Sequence, residues 1–278
     1  MTQPAITRRE MIGGSVAGAV MTAGAASLAP ADRARAQSQS QSTRATFVLV
    51  HGASCGGWIW RRVADILESG SCKVYCPTLT GLGERSHLLS PKIDLDTHIL
   101  DVANVVEWES LENVCLVAHS YAGFPASGAL ERIATRVSSL VLLDAFKPAD
   151  GDRAIDYAAE SVRRATLARA GRGEAAFPAP TSAAADFVDR KDLAFFLSKA
   201  TPQPIGSYAQ PIRLTGARER VAKKTYIRLP KFPNPGFDRA FAECQADKSW
   251  TALENAAASH CVMLDEPEWL ADVLMQAS

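Results

Sequence analysis

With 278 residues the chain is long enough for one substantial core, or one core plus an inserted cap, but not for several large domains. Its apolar share of 47% and charged share of 22% are ordinary for a globular protein. Lysine plus arginine matches aspartate plus glutamate at 30 each, with no basic run, so nucleic-acid binding gains no support and a small-molecule partner is favoured.

The first residues read as a targeting segment. Arg8 and Arg9 stand directly ahead of an uncharged, Gly- and Ala-rich stretch over 12–28. Ala34-Arg35-Ala36 then offers the small-x-small pattern of a cleavage site, with Gln37 as the first mature residue. The stretch is short for a membrane span, and Gly and Ala supply little transfer energy. The expectation is a twin-arginine signal over 1–36, a periplasmic or secreted protein, and no stable membrane insertion after cleavage. Losing Arg8, Arg9, Arg33 and Arg35 together with Glu10 and Asp32 leaves 26 basic against 28 acidic residues. Residues 37–43, rich in Ser and Gln, are expected to be a flexible linker.

From Thr46 onward short apolar runs alternate with helical patterns. Residues 47–50 read as a buried strand, 58–67 as a helix, and 73–76 as a second strand stopped by Pro77. In 94–108 the apolar residues Ile99, Val102, Val105 and Val106 keep the three-and-four spacing of an amphipathic helix. A third strand follows over 114–118, a helix over 122–133 and a fourth strand over 140–143. The alternation breaks after Phe146. Residues 149–220 are Ala-rich, with Pro-rich joints at 177–181 and 201–205, and read as a helical cap without a convincing strand. A strand over 224–229, a helix over 237–246, a weaker strand over 251–256 and a closing helix over 267–275 complete the chain. The pattern predicts an α/β fold: a mostly parallel sheet of about six strands flanked by helices, built from 44–148 and 221–278.

Val117-Ala118-His119-Ser120-Tyr121-Ala122-Gly123 falls at a strand end and a helix start, the setting of a nucleophile elbow. Alanine stands at both positions flanking the serine where Gly-x-Ser-x-Gly is usual, with Gly123 one place later. The same pattern also suits a serine capping the helix. His51-Gly52-Ala53 follows the first strand, so the N–H groups of Ala53 and Tyr121 make a candidate oxyanion hole. A phosphate cradle fits less well, because no lysine follows in the phosphate-loop pattern. Ala258-Ser259-His260 lies between the last strand and the closing helix, where His260 can reach back over the sheet to Ser120 as its base. Gly52, Trp58 and Cys261 are candidate pocket residues, and Tyr121 is a further candidate for that part. Cap residues Phe177, Phe187, Phe195, Phe196 and Tyr208 suggest an aromatic ceiling, hence a hydrophobic or aryl substrate. The six cysteines show no metal-ligand spacing, and Cys72 and Cys76 lie about 13 Å apart on one extended strand, too far to bridge.

Phe47-Val-Leu-Val-His-Gly-Ala53 with Gly57-Trp58-Ile59-Trp60, Ala118-His-Ser-Tyr121 and Ser259-His260 resembles the α/β-hydrolase superfamily. The branch it resembles holds plant methyl esterases, hydroxynitrile lyases and bacterial salicylate-esterase-like hydrolases. The bacterial group is the nearest in pattern, through Pro77-Thr-Leu-Thr-Gly-Leu-Gly-Glu-Arg-Ser-His87, Leu142-Leu-Asp-Ala-Phe-Lys-Pro148 and Thr201-Pro-Gln-Pro204. The resemblance spans 46–274 and implies ester hydrolysis without a cofactor. Lyases of the branch carry threonine where this chain has Gly52, and lysine where it has Cys261, so hydrolysis is the better reading.

The resemblance leaves the triad acid between two residues. Many relatives place it after the strand before the histidine, yet 227–232 holds no carboxylate and Asp238 lies inside the following helix. Asp144, at the tip of the fourth strand, offers the position that haloalkane dehalogenases use, and it is the preferred acid. The function expected is a serine hydrolase that cleaves a carboxylic ester through an acyl-enzyme. An amidase or carbamate hydrolase on the same groups, a lyase and a non-catalytic binding protein stay open.

Overall fold

A computed structural model describes residues 45–181 and 187–278. The twin-arginine segment and the linker lie outside the described residues. Among the described residues eight strands follow in chain order: β1 (Thr46–Val50), β2 (Lys73–Tyr75), β3 (Val114–His119), β4 (Val137–Leu143), β5 (Ala176–Phe177), β6 (Gln203–Pro204), β7 (Lys223–Arg228) and β8 (Trp250–Glu254). Six of them form one sheet in the order β2-β1-β3-β4-β7-β8, and every neighbouring pair is parallel.

The helices are α1 (Arg61–Ser69), α2 (Leu95–Trp108), α3 (Gly123–Ile133), α4 (Glu160–Gly171), α5 (Arg190–Lys199), α6 (Gly206–Ala209), α7 (Pro235–Ala246), α8 (Val262–Asp265) and α9 (Pro267–Ala277). Strand side chains alternate between the sheet faces, so each central strand feeds two cores. Phe47 and Leu49, Cys115 and Val117, Val141 and Leu143 pack with Val63 and Leu67 of α1 and Leu270 and Leu274 of α9. Val48 and Val50, Leu116 and Ala118, Leu140 and Leu142 pack with Val102 and Val106 of α2, Leu130 of α3 and Phe237 of α7. Each such leucine or phenylalanine, fully buried, contributes roughly 1.5–3 kcal/mol, offset by the entropy of ordering the chain. Asp94 starts α2 with a capping box: its carboxylate accepts the Thr97 N–H at 2.9 Å while the Thr97 hydroxyl faces the Asp94 N–H.

The chain leaves β1 in one direction to reach β2, then returns to build β3, β4, β7 and β8 on the other side. That reversal opens a crevice above the C-terminal ends of β1 and β3, where ligands bind in open α/β sheets. Ser120 follows β3, the His51-Gly52-Ala53 turn follows β1, and Asp144 follows β4.

The segment between β4 and β7 differs from the strand-free cap that the sequence suggested. Residues of β5 and β6 pair antiparallel, Ala176 with Pro204 and Phe177 with Gln203. Two residues per strand, one of them proline, are too few to leave an alternating pattern. A four-residue 3₁₀ turn (Gly57–Trp60) precedes α1, where the sequence suggested continuous helix, and a six-residue one (Gly83–Leu88) follows β2. Among the described residues no helix is long and apolar enough to cross a membrane.

Candidate active site

β3 delivers Ser120 into a left-handed backbone conformation, φ 57°. For a residue with a Cβ this costs of order 1–2 kcal/mol, so the surroundings must hold it in place. Ala118 and Ala122 are fully buried beside it, and the Phe146 N–H donates to the Ser120 carbonyl at 3.2 Å. Gly123 is the position where the turn admits no side chain: a Cβ there would lie 1.9 Å from the Phe146 carbonyl oxygen. The glycine one place late in the motif is therefore the contact point between α3 and the loop after β4.

Around Ser120 lies a cavity of about 310 Å³. Its floor is Gly52, Ala53, His119, Ser120 and His260, and its walls are largely apolar: Phe146, Phe196, Tyr208, Phe232 and Phe237. Cys261 also lines it. Trp58 does not. It stands one layer back, edge-on to Phe195 at 5.4 Å and tilted against Phe196 at 6.2 Å. Of the cap aromatics Phe196 and Tyr208 reach the cavity, while Phe177 supports Tyr208 from behind and Phe187 supports Phe196.

His260 projects from the loop after β8, and its Nδ1–H donates to Asp144 Oδ2 at 2.6 Å. In the neutral imidazole that bond selects the tautomer whose Nε2 carries the free lone pair. Asp144 is fully buried, in a left-handed conformation (φ 43°), and its N–H donates to the Ile227 carbonyl at 2.6 Å. Asp238 does not approach His260. Its side chain is 61% exposed and pairs with Arg228 at 2.6 Å.

The neighbouring histidines hold the frame. His51 Nδ1–H donates to the Gly52 carbonyl at 2.8 Å and its Nε2 accepts the Leu79 N–H at 3.0 Å. Burial lowers its pKa to about 4, so it stays neutral and pins the turn that carries Ala53. His119 Nε2–H donates to the His260 carbonyl at 2.9 Å, and burial holds it neutral as well. Among the described residues its Nδ1 has no partner. A Cβ on Gly52 would come within 2.9 Å of that nitrogen and 3.0 Å of the Ser120 Cβ, so glycine at 52 gives His119 and Ser120 their room. The Tyr121 hydroxyl points away from the cavity to His98 Nδ1 at 3.0 Å, while its ring stacks on Tyr208 at 4.9 Å.

Three site features escaped the sequence. Arg228 is buried beside Asp144, with Nη1 to Oδ1 at 2.5 Å. Its signal was a lone cation in an otherwise buried strand end, which requires a counter-ion. Gln203 accepts the Ser54 N–H at 2.8 Å, tying the cap to the turn after β1. Phe232 stacks on the His260 ring at 4.2 Å.

The alpha/beta hydrolase family model matches residues 47–273, and the chain belongs to that family. It is 35% identical over 240 residues to a carbendazim hydrolyzing esterase of Nocardioides sp. (strain SG-4G), covering 83% of this chain and 98% of that protein. A shorter match, 35% over 103 residues, reaches methyl jasmonate esterase 1 of Vitis vinifera, covering 37% of this chain and 40% of that one. Among solved structures, an extracellular alpha/beta-hydrolase from a Paenibacillus species superposes with a TM-score of 0.72 at 20% identity, covering 84% of this chain and 99% of that one. The protein is a carboxylic ester hydrolase of this family.

Proposed function

We propose that Ser120 cleaves a carboxylic ester of a small hydrophobic or aromatic substrate through an acyl-enzyme. One observation carries this reading: Ser120, held at φ 57° at the strand end, shares an apolar cavity with His260, whose Nδ1 is bound to Asp144. In this mechanism His260 Nε2 takes the Ser120 hydroxyl proton as the oxygen attacks the carbonyl carbon. The N–H groups of Ala53 and Tyr121 receive the oxyanion. The intermediate collapses, the ester C–O bond breaks, and His260 returns the proton to the departing alcohol. Water, deprotonated by the same nitrogen, then releases the acid and restores the serine.

Hydrolysis of p-nitrophenyl butyrate by the protein and its Ser120→Ala variant tests this. Turnover falls by at least about 1,000-fold in the variant if the serine is the nucleophile, and survives if it is not. A second reading, carbamate cleavage on the same groups, draws support from the 35%-identical relative named for hydrolysing carbendazim, a carbamate. Comparing matched ester and carbamate substrates separates the two. The twin-arginine motif supports export as part of the same proposal, tested by replacing Arg8 and Arg9 with lysine and following the protein's compartment.

A further inference from the structure

Arg228 ends β7 beside Asp144: Leu143 pairs with Ile227 in the β4–β7 ladder, so the next residues on each strand are neighbours. Its side chain is 2% exposed. All five of its N–H donors are engaged, a saturation that fixes the plane of the group. Nη1 donates to Asp144 Oδ1 at 2.5 Å and to the Leu229 carbonyl at 2.8 Å. Nη2 donates to Asp238 at 2.6 Å and to the Phe232 carbonyl at 2.9 Å, and Nε donates to Asp238 at 2.9 Å. The Leu229 N–H completes the set by donating to Asp144 Oδ1 at 3.1 Å.

The two Asp144 oxygens are thereby divided. Oδ1 is held by Arg228 and Leu229, which leaves Oδ2 directed at His260. The same guanidinium grips the main chain of Phe232, whose ring lies 4.2 Å from the His260 ring at an interplanar angle of 23°. One side chain thus holds the partner of the imidazole's Nδ1 and the ring stacked on its face. Asp238 is the outer counter-ion that anchors the guanidinium from the solvent side.

We propose that Arg228 is a positioning residue for hydrolysis: it orients Asp144 and the Phe232 ring so that His260 presents Nε2 to Ser120. The inference rests on the Ser120–His260–Asp144 reading above. Its cation also tempers the carboxylate field felt by the imidazole. The charged or titratable groups around His260 and Asp144 include Arg228 with its outer partner Asp238, the neutral His119 ring at 4.4 Å from His260, the Tyr226 phenol near Asp144, and the buried Cys261 thiol, which burial pushes well above its ordinary range.

The test is steady-state kinetics on p-nitrophenyl butyrate from pH 5 to 9 for the parent, Arg228→Lys, Arg228→Met, Asp144→Asn and the Asp144→Asn/Arg228→Met double variant. Arg228→Met is expected to lower kcat about 10–100-fold with KM changed less than about threefold, the sign of lost transition-state geometry. The acidic limb of its kcat/KM profile moves up by about half a pH unit or more, because an uncompensated carboxylate favours the imidazolium. Arg228→Lys restores part of kcat by keeping a cation. In the Asp144→Asn background, Arg228→Met costs at least about threefold less than in the parent, because the carboxylate it orients is gone and only its hold on Phe232 is left to lose. The double variant also leaves no unpaired buried charge, so it remains measurable if Arg228→Met alone fails to fold.

An equal fold-loss in both backgrounds, or a fall in melting temperature with kcat and the pH profile unmoved, would overturn the proposal. Ser120→Ala and Asp144→Asn read the underlying mechanism separately. Full activity in Asp144→Asn with none in Ser120→Ala removes the acid assignment, and the role of Arg228 with it, while leaving the serine. Full activity in Ser120→Ala removes the mechanism itself.

Discussion

The imidazole of His119 donates Nε2–H to the main-chain carbonyl of His260 at 2.9 Å, so the residue before Ser120 is bonded to the backbone of the proposed base. The strand that delivers Ser120 is thereby also tied to the loop that delivers the histidine. His119→Phe keeps a flat ring of similar size against Trp60, which meets it edge-on at 6.3 Å, and deletes only the bond. A buried hydrogen bond of about 1–1.5 kcal/mol predicts a kcat lowered roughly tenfold with the melting temperature reduced by a few degrees. Unchanged kcat would show that the loop after β8 holds its place without this contact.

The choice between two carboxylates is directly measurable. Asp144 is buried and bonded to His260, while Asp238 is exposed and pairs with Arg228. Asp144→Asn is expected to lower kcat by about 1,000- to 10,000-fold, because an amide beside Nδ1 favours the wrong tautomer. Asp238→Asn loses a solvent-screened pair and stays within about threefold of the parent. The reverse ranking would move the triad acid to α7.

Gly123→Ala places a Cβ 1.9 Å from a main-chain oxygen, which a rotamer change cannot relieve. The variant is expected to lose more than about 3 kcal/mol, seen as a lower urea midpoint or insoluble expression. Gly171, in α4, has nothing within 4 Å of an added Cβ, so Gly171→Ala serves as the control and stabilises by up to about 1 kcal/mol. Equal stability of the two variants would mean that the turn after β3 relaxes freely.

Acid weakens the fold through its buried histidines. Burial lowers the His51 pKa from 6.5 to about 4, and burial also lowers those of His98 and His119. Between these pH values the unfolded chain binds protons that the folded chain excludes. Stability is therefore full above about pH 6.5 and falls as pH drops toward 4, by about 3 kcal/mol for His51 alone. Urea midpoints at pH 7.5, 5.5 and 4.5 should decline for the parent and decline less steeply for His51→Gln. A parallel decline would assign the acid sensitivity elsewhere.

The sheet was legible because each central strand, such as 47–50 or 114–118, is an unbroken apolar run between helical patterns, as burial on both faces requires. Ser120, His260 and the turn after β1 were legible for a similar reason: each sits at a fixed place relative to a strand end. What the sequence withheld depends on contacts across long separations. Trp58 gave no sign that Phe196 would stand between it and the cavity. The Arg228–Asp144 pair links residues 84 positions apart. The β5–β6 pair, two residues on each side, is set by where the cap folds back rather than by its own composition.

Asp144 and Arg228 occupy matching places on adjacent strands, one step past the paired residues Leu143 and Ile227. An imidazole responds to where a negative oxygen stands, and strands about 4.8 Å apart put either position within side-chain reach of the same spot. The carboxylate can thus be exchanged between neighbouring strands in descent without rebuilding the sheet, provided the vacated place receives a residue that tolerates the new charge. In such a lineage the order serine, acid, histidine would persist while the spacing between them along the gene changed by some 84 positions, so their arrangement in space would be a better guide to kinship than that spacing.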